Sequence, residues 1–170
     1  METIAAPGAG VTAGELTAIE VAVRAAEPAY LVDLERLVNI DCGSYTPAGV
    51  EEVATFVARF LADLGAEVIR HPDPDGRLGP TIVGTVHGAV GAGPRIVLIG
   101  HMDTVFDPGT ASDRPFHIEQ GTAYGPGVTD MKSGLLTGLY GLRTVVELTG
   151  AGGLPFEQIV FVANPDEEIG

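Results

Sequence analysis

Arg95-Ile96-Val97-Leu98-Ile99-Gly100 and Gln158-Ile159-Val160-Phe161-Val162-Ala163 are nearly continuous apolar runs, and together they decide the fold. Runs of this kind suit strands covered on both faces, as in a parallel sheet. Between them, from about Met131 to Leu148, Leu135, Leu136, Leu139, Leu142, Val145 and Val146 recur at helical spacing. A strand, a helix and a strand in this order form a crossover unit, which makes the two strands parallel. The helix then runs back toward the start of the sheet, so its N-terminus lies at the carboxyl edge. Three polar clusters fall on that same edge: His101-Met102-Asp103 after the first strand, Asp130 before the helix, and Asp166-Glu167-Glu168 after the second strand. Open α/β sheets take their ligands outside the carboxyl ends of the strands.

Outward from this unit, further strands are expected at 66–70 and 81–87. Glu15 to Ile40 reads as helix interrupted near Pro28, with Tyr30, Leu31, Leu34 and Leu37 on one stripe. Asp41-Cys42-Gly43-Ser44-Tyr45 reads as a loop, and Thr46-Pro47 as an N-cap followed by a proline at the first helical position. The helix behind it carries Val50, Val53, Phe56, Val57, Phe60, Leu61 and Leu64 and stops at Gly65. Residues 1–13 are small, Gly-rich and without periodicity, and are expected to be a disordered tail.

The 170 residues suffice for one domain, and 45% hydrophobic against 19% charged residues supply a core. Nine basic against 23 acidic residues give a formal charge of −14, which repels nucleic acid and anionic membranes. The single cysteine, Cys42, excludes an internal disulfide and a cysteine-rich zinc cluster. No apolar run reaches the ~18 residues of a membrane span, and the start Met1-Glu2-Thr3-Ile4 lacks the basic flank of a signal peptide, so a cytoplasmic location is expected.

One imidazole and several carboxylates at one edge form a mixed nitrogen and oxygen donor set, suited to zinc or a similar divalent ion. A carboxylate outside the coordination sphere could act as a general base. His101 and Asp103 stand two apart, facing one side of an extended chain, so Asp103 could orient the ring. Each residue also has an ordinary structural reading. His101 could be a satisfied loop histidine, Asp130 could favour a helix N-terminus, and Asn164-Pro165-Asp166-Glu167-Glu168 could be an acidic helix start.

His101-Met102-Asp103-Thr104-Val105-Phe106, Ala123-Tyr124-Gly125-Pro126-Gly127-Val128-Thr129-Asp130-Met131-Lys132-Ser133-Gly134 and Asn164-Pro165-Asp166-Glu167-Glu168-Ile169-Gly170 resemble, in order and spacing, three motifs of one zinc-peptidase family. It is the family of glutamate carboxypeptidase, aminoacylase and succinyl-diaminopimelate desuccinylase, and the wording is nearest the glutamate carboxypeptidase branch. The resemblance implies a three-layer αβα catalytic domain with a largely parallel sheet, incomplete at its C-terminus. It implies two zinc ions, with cobalt or manganese as alternatives: His101 on one ion, Asp130 bridging both, and Glu168 on the other. Glu167 would be the general base, Asp103 would hold His101, and the Asp130-Met131 peptide would be cis. The implied reaction is hydrolysis of an amide or peptide bond in a small peptide or N-acyl amino acid.

The same family has a further carboxylate, a distant histidine and a lid domain that dimerises, all absent from these 170 residues. The chain alone is therefore expected to be inactive, and a homodimer is expected only with the lid. His71, in the turn before Gly76, His87, at a strand end, and His117, in an edge strand, do not replace the missing ligand. The rival reading is a non-catalytic fragment or pseudoenzyme with relic motifs. Other classes fit less well. A P-loop ending at Lys132-Ser133 would need glycines where Pro126 and Met131 stand. Gly88-Ala89-Val90-Gly91-Ala92-Gly93 has the glycines of a dinucleotide fingerprint in the wrong order and reads as a connecting loop. Cys42 as a nucleophile has no identifiable base nearby.

Overall fold

The computed structural model describes residues 11–88, 93–150 and 153–169. Most of the expected tail, the middle of the Gly88–Gly93 loop and Gly170 of the third motif lie outside the described residues.

Helix α1 spans Ala13–Val38 and so begins inside the stretch expected to be tail. A capping box explains the early start. Glu15 N–H donates to Thr12 Oγ1 (3.2 Å), and Thr12 N–H donates to Glu15 Oε2 (2.7 Å), so two otherwise unpaired donors are satisfied. The interruption expected at Pro28 is not there, because the helix continues through it. Proline removes the hydrogen bond to the Arg24 carbonyl, but Arg24 and Pro28 are exposed, and water can serve that carbonyl instead.

Helix α2, Pro47–Asp63, has its proline at the first position as expected, although the Thr46 side chain makes no capping hydrogen bond. Its buried face is Val50, Val53, Val57 and Leu61, at the spacing read from the sequence. Gly65, at φ +79°, takes the left-handed conformation that ends it.

The strands are β1 (Glu67–His71), β2 (Thr81–His87), β3 (Arg95–His101), β4 (His117–Glu119), β5 (Thr122–Tyr124) and β6 (Gln158–Asn164), with helices α3 (Thr110–Asp113) and α4 (Ser133–Thr149). His71 is thus the last residue of a strand and not part of the following turn. β4 and β5 form a separate hairpin, of which only the first strand was expected.

The main sheet has the order β1-β2-β6-β3. β3 and β6 pair in parallel, with His101 opposite Asn164, as the crossover argument requires. The other two pairings are antiparallel, so the sheet is mixed rather than largely parallel. Nor is β3 covered on both faces as its apolar run suggested: Val97 and Ile99 are exposed, because the described helices α2 and α4 lie on the other face of the sheet. Between β1 and β2 there is only a short turn-rich segment, with no helix to carry the chain back, and such a link makes neighbours antiparallel.

α2 and α4 pack on one face of the sheet. A Cβ on Gly84 of β2 would stand 2.7 Å from Leu61 Cδ1, and one on Gly138 of α4 would stand 2.9 Å from the Phe161 ring of β6. Glycine is needed at both contacts for the helices to come this close. α1 lies on α4, where the Tyr30 and Tyr140 rings meet edge to face at 5.3 Å. The Tyr140 hydroxyl donates to Asp33 Oδ2 (2.6 Å), and burial together with Asp33 pushes its pKa to about 12.

Candidate metal centre

β3 delivers His101 to the carboxyl edge, and the two residues after it turn Asp103 beneath it. The backbone there is fixed on both sides: Met102 N–H donates to the Asn164 carbonyl (2.7 Å), and Thr104 N–H to the Cys42 carbonyl (3.0 Å). Asp103 is fully buried. Its Oδ1 accepts the Glu167 N–H (3.2 Å), and its Oδ2 accepts the Glu168 N–H (3.1 Å) and the Ser44 hydroxyl (2.6 Å). The residues after β6 are therefore tied to those after β3 through one carboxylate.

The His101 ring sits between buried and exposed carboxylates. Nδ1 faces the Asp103 carbonyl oxygen (3.1 Å) and Oδ1 (3.2 Å), both of which can only accept. Nδ1 therefore carries a proton, and Nε2 is directed outward. Nε2 lies 3.0 Å from Asp130 Oδ1 and 3.9 Å from Glu167 Oε2. Burial alone would push the ring toward neutrality, but the hydrogen bond to Asp130 and the charges of Asp103 and Glu167 outweigh it, so its pKa stands above the usual value. Burial and the Asp130 charge likewise push the Glu168 carboxyl upward.

Asp130 comes from the wide turn Val128–Lys132 before α4, where Asp130 and Met131 depart from helical dihedrals. The Asp130-Met131 peptide is cis, as the motif resemblance implied. Met131 packs back under the site, its sulfur accepting the His101 N–H (3.3 Å). Lys132 points the other way, into the core. Its Nζ donates to the Ile40 carbonyl (2.9 Å), burial lowers its pKa, and burial raises that of the Cys42 thiol.

The edge predicted from strand and helix order thus gathers His101, Asp103, Asp130, Glu167 and Glu168. One ligand atom each from His101, Glu167 and Glu168 lies within 4.8 Å of the others, and Asp130 meets the same imidazole nitrogen. A nitrogen and an oxygen each 2.0–2.1 Å from a tetrahedral zinc stand about 3.3 Å apart. The 3.0 Å between Nε2 and Asp130 Oδ1 is close to that value, so these two donors fit one divalent cation. His71, His87 and His117 are not in this group. Ser44 is the participant that sequence reasoning missed. It lay in a segment read only as a loop, and its sequence carries no signal for a partner 59 residues away.

The fold is that of an α/β peptidase-like domain. Human carnosine dipeptidase 1 matches it with a TM-score of 0.75 at 21% identity, over 91% of this chain and 35% of that one. Residues 97–170 match the model of peptidase family M20/M25/M40. Carboxypeptidase G2 of Pseudomonas sp. (strain RS-16) is 35% identical over 144 residues, which are 85% of this chain and 34% of that protein. Cysteinylglycine-S-conjugate dipeptidase of Corynebacterium striatum is 36% identical over 104 residues, 59% of this chain and 22% of that protein. The chain thus spans about a third or less of the length of the curated relatives it matches.

Proposed function

We propose that this chain supplies the first metal ligands and the general base of a zinc-dependent peptide or amide hydrolase of the glutamate carboxypeptidase kind. The observation that carries the proposal is the convergence of His101, Glu167 and Glu168 within 4.8 Å of one another above a single buried carboxylate, Asp103. In this reading His101 Nε2 and Asp130 hold one ion, Asp130 and Glu168 hold a second, and the remaining ligands come from sequence beyond these residues. The similarity to Carboxypeptidase G2 over 34% of its length supports that division. Cobalt or manganese could take the same oxygen and nitrogen donors.

Bound ions would polarise the substrate carbonyl and bring the pKa of water toward neutrality. The other steps belong to the chain. Asp103 keeps the proton on His101 Nδ1 and so keeps Nε2 available as a ligand. Glu167, held through its backbone N–H by Asp103 and with 60% of its side chain exposed, takes a proton from water and returns it to the leaving nitrogen. Substrates would be small peptides or N-acyl amino acids, and the 170 residues alone would hydrolyse them poorly because each ion lacks a third protein ligand.

Zinc titration against a chromogenic chelator, with an N-acyl-glutamate hydrolysis assay, tests the proposal. The wild-type chain should bind zinc, and His101→Ala should weaken binding at least tenfold. Binding that is absent, or indifferent to His101→Ala, would leave the motifs as relics.

A further inference from the structure

The Asp103 carboxylate accepts three hydrogen bonds. Two are expected of a group that organises the site, from the N–H groups of Glu167 and Glu168, while His101 Nδ1 faces the Asp103 carbonyl oxygen and lies 3.2 Å from Oδ1. The third is from the hydroxyl of Ser44, which makes the shortest of these contacts at 2.6 Å and is itself buried. Its loop is pinned to the site at several points. The Gly43–Thr104 bridge, the Thr104 N–H to Cys42 carbonyl bond, the Cys42 thiol to Met102 carbonyl bond (3.2 Å) and the Lys132 Nζ to Ile40 carbonyl bond all hold it. The Asp41 carboxylate adds bonds from the N–H groups of Gly109 (2.7 Å) and Ala111 (2.8 Å).

We infer that Ser44 is a positioning residue for the metal centre: by bonding Asp103 Oδ2 it fixes the rotation of that carboxylate, and with it the Glu167 and Glu168 backbone at the edge that holds His101. Its effect on zinc rests on the metal-centre reading above, whereas its effect on the two backbone N–H groups is independent of any metal. Without the hydroxyl, the Asp103 carboxylate keeps one hydrogen-bond donor on each oxygen and can rotate about its last bond. Rotation moves Oδ1 away from the Glu167 N–H and Oδ2 away from the Glu168 N–H. The two glutamates then lose their fixed backbone, while His101 Nδ1 keeps the Asp103 carbonyl oxygen. The influence of Ser44 on the site passes through Asp103.

The test uses the full chain in three forms: wild type, Ser44→Ala and Ser44→Thr. Amide hydrogen exchange of the metal-free protein should show the Glu167 and Glu168 N–H groups protected in the wild type. Their exchange should speed up about tenfold or more in Ser44→Ala and slow again in Ser44→Thr, which restores the hydroxyl. Zinc affinity should fall about tenfold or more in Ser44→Ala, in the range seen when groups supporting a metal ligand are removed, and recover in Ser44→Thr. Circular dichroism and melting temperature separate these effects from misfolding. If Ser44→Ala keeps both amides protected and binds zinc within twofold of wild type, the inference is overturned. A loss in Ser44→Ala that Ser44→Thr does not repair overturns it too, because the hydroxyl would not be the cause. Should the wild type bind no zinc, the hydrolase proposal fails, and the amide exchange alone decides the role of Ser44.

Discussion

Replacing Asp103 with asparagine changes a single atom at the buried centre of the site, and its cost can be worked from the hydrogen bonds. The carboxylate accepts from Ser44, Glu167 and Glu168, lies 3.2 Å from His101 Nδ1, and has no exposure to solvent. An asparagine presents one oxygen and one NH2. If the NH2 takes the Oδ2 side, the Glu168 N–H faces another donor and Ser44 must turn from donor to acceptor. If it takes the Oδ1 side, the Glu167 N–H loses its acceptor and the NH2 stands against His101 Nδ1–H. Either choice leaves at least one donor unsatisfied, at about 1–3 kcal/mol, and removes the charge that strengthens the surviving bonds. A destabilisation of about 2–4 kcal/mol is expected for the metal-free chain, measured as a shift in urea midpoint at constant slope. Zinc affinity should fall roughly 10- to 100-fold in a competition titration. An Asp103→Asn chain with wild-type stability and zinc affinity within twofold of wild type would refute the view that this carboxylate organises the centre.

Three further outcomes follow from other parts of the structure. The raised His101 pKa means that its contribution to the metal-free fold is complete below the unfolded value of about 6.5 and is lost as pH rises through the folded value. Urea melts in EDTA should therefore show stability falling as pH rises above about 6.5, His101→Gln should remove that part of the slope, and zinc affinity should rise in the same direction as the proton leaves. Tyr140→Phe deletes the bond to Asp33 between α1 and α4 and should cost about 1–2 kcal/mol by the same melts, without changing zinc affinity. Gly49→Ala would put a Cβ 1.8 Å from the Asp41 carbonyl oxygen, a backbone atom with little freedom to retreat. About 3 kcal/mol of destabilisation is expected, and a melting temperature equal to wild type would contradict it.

The elements that the sequence made legible are those whose apolar spacing is unambiguous. Val50, Val53, Val57 and Leu61 mark the buried face of α2, and the two apolar runs of β3 and β6 imply, with α4 between them, a parallel pair with His101, Asp130 and Glu168 on one edge. Direction was legible where a helix connects the strands. The short turn-rich link from β1 to β2 makes them antiparallel, but the insertion of β6 between β2 and β3 is a long-range result that no local pattern encodes. Thr12 and Glu15 carried a readable capping signal that the small, Gly-rich residues around them obscured. Pro28 was read by its usual effect, but at a solvent-exposed turn that effect is mild. Ser44 was illegible for a different reason: a serine in a loop acquires its role only from the partner that the folded chain brings to it.

β6 lies inside the sheet, between β2 and β3, although it follows both in the chain. Until Gln158–Asn164 has been synthesised, β3 has no ladder to join and the β1–β2 hairpin is left without its inner neighbour. A nascent chain that ends before this point holds His101 and Asp130 but neither Glu167 nor Glu168, nor the strand that ties β3 to β2. One stretch of translation therefore both joins β3 to the hairpin and, directly after it, brings Glu167 and Glu168 to the rim where His101 and Asp130 already wait.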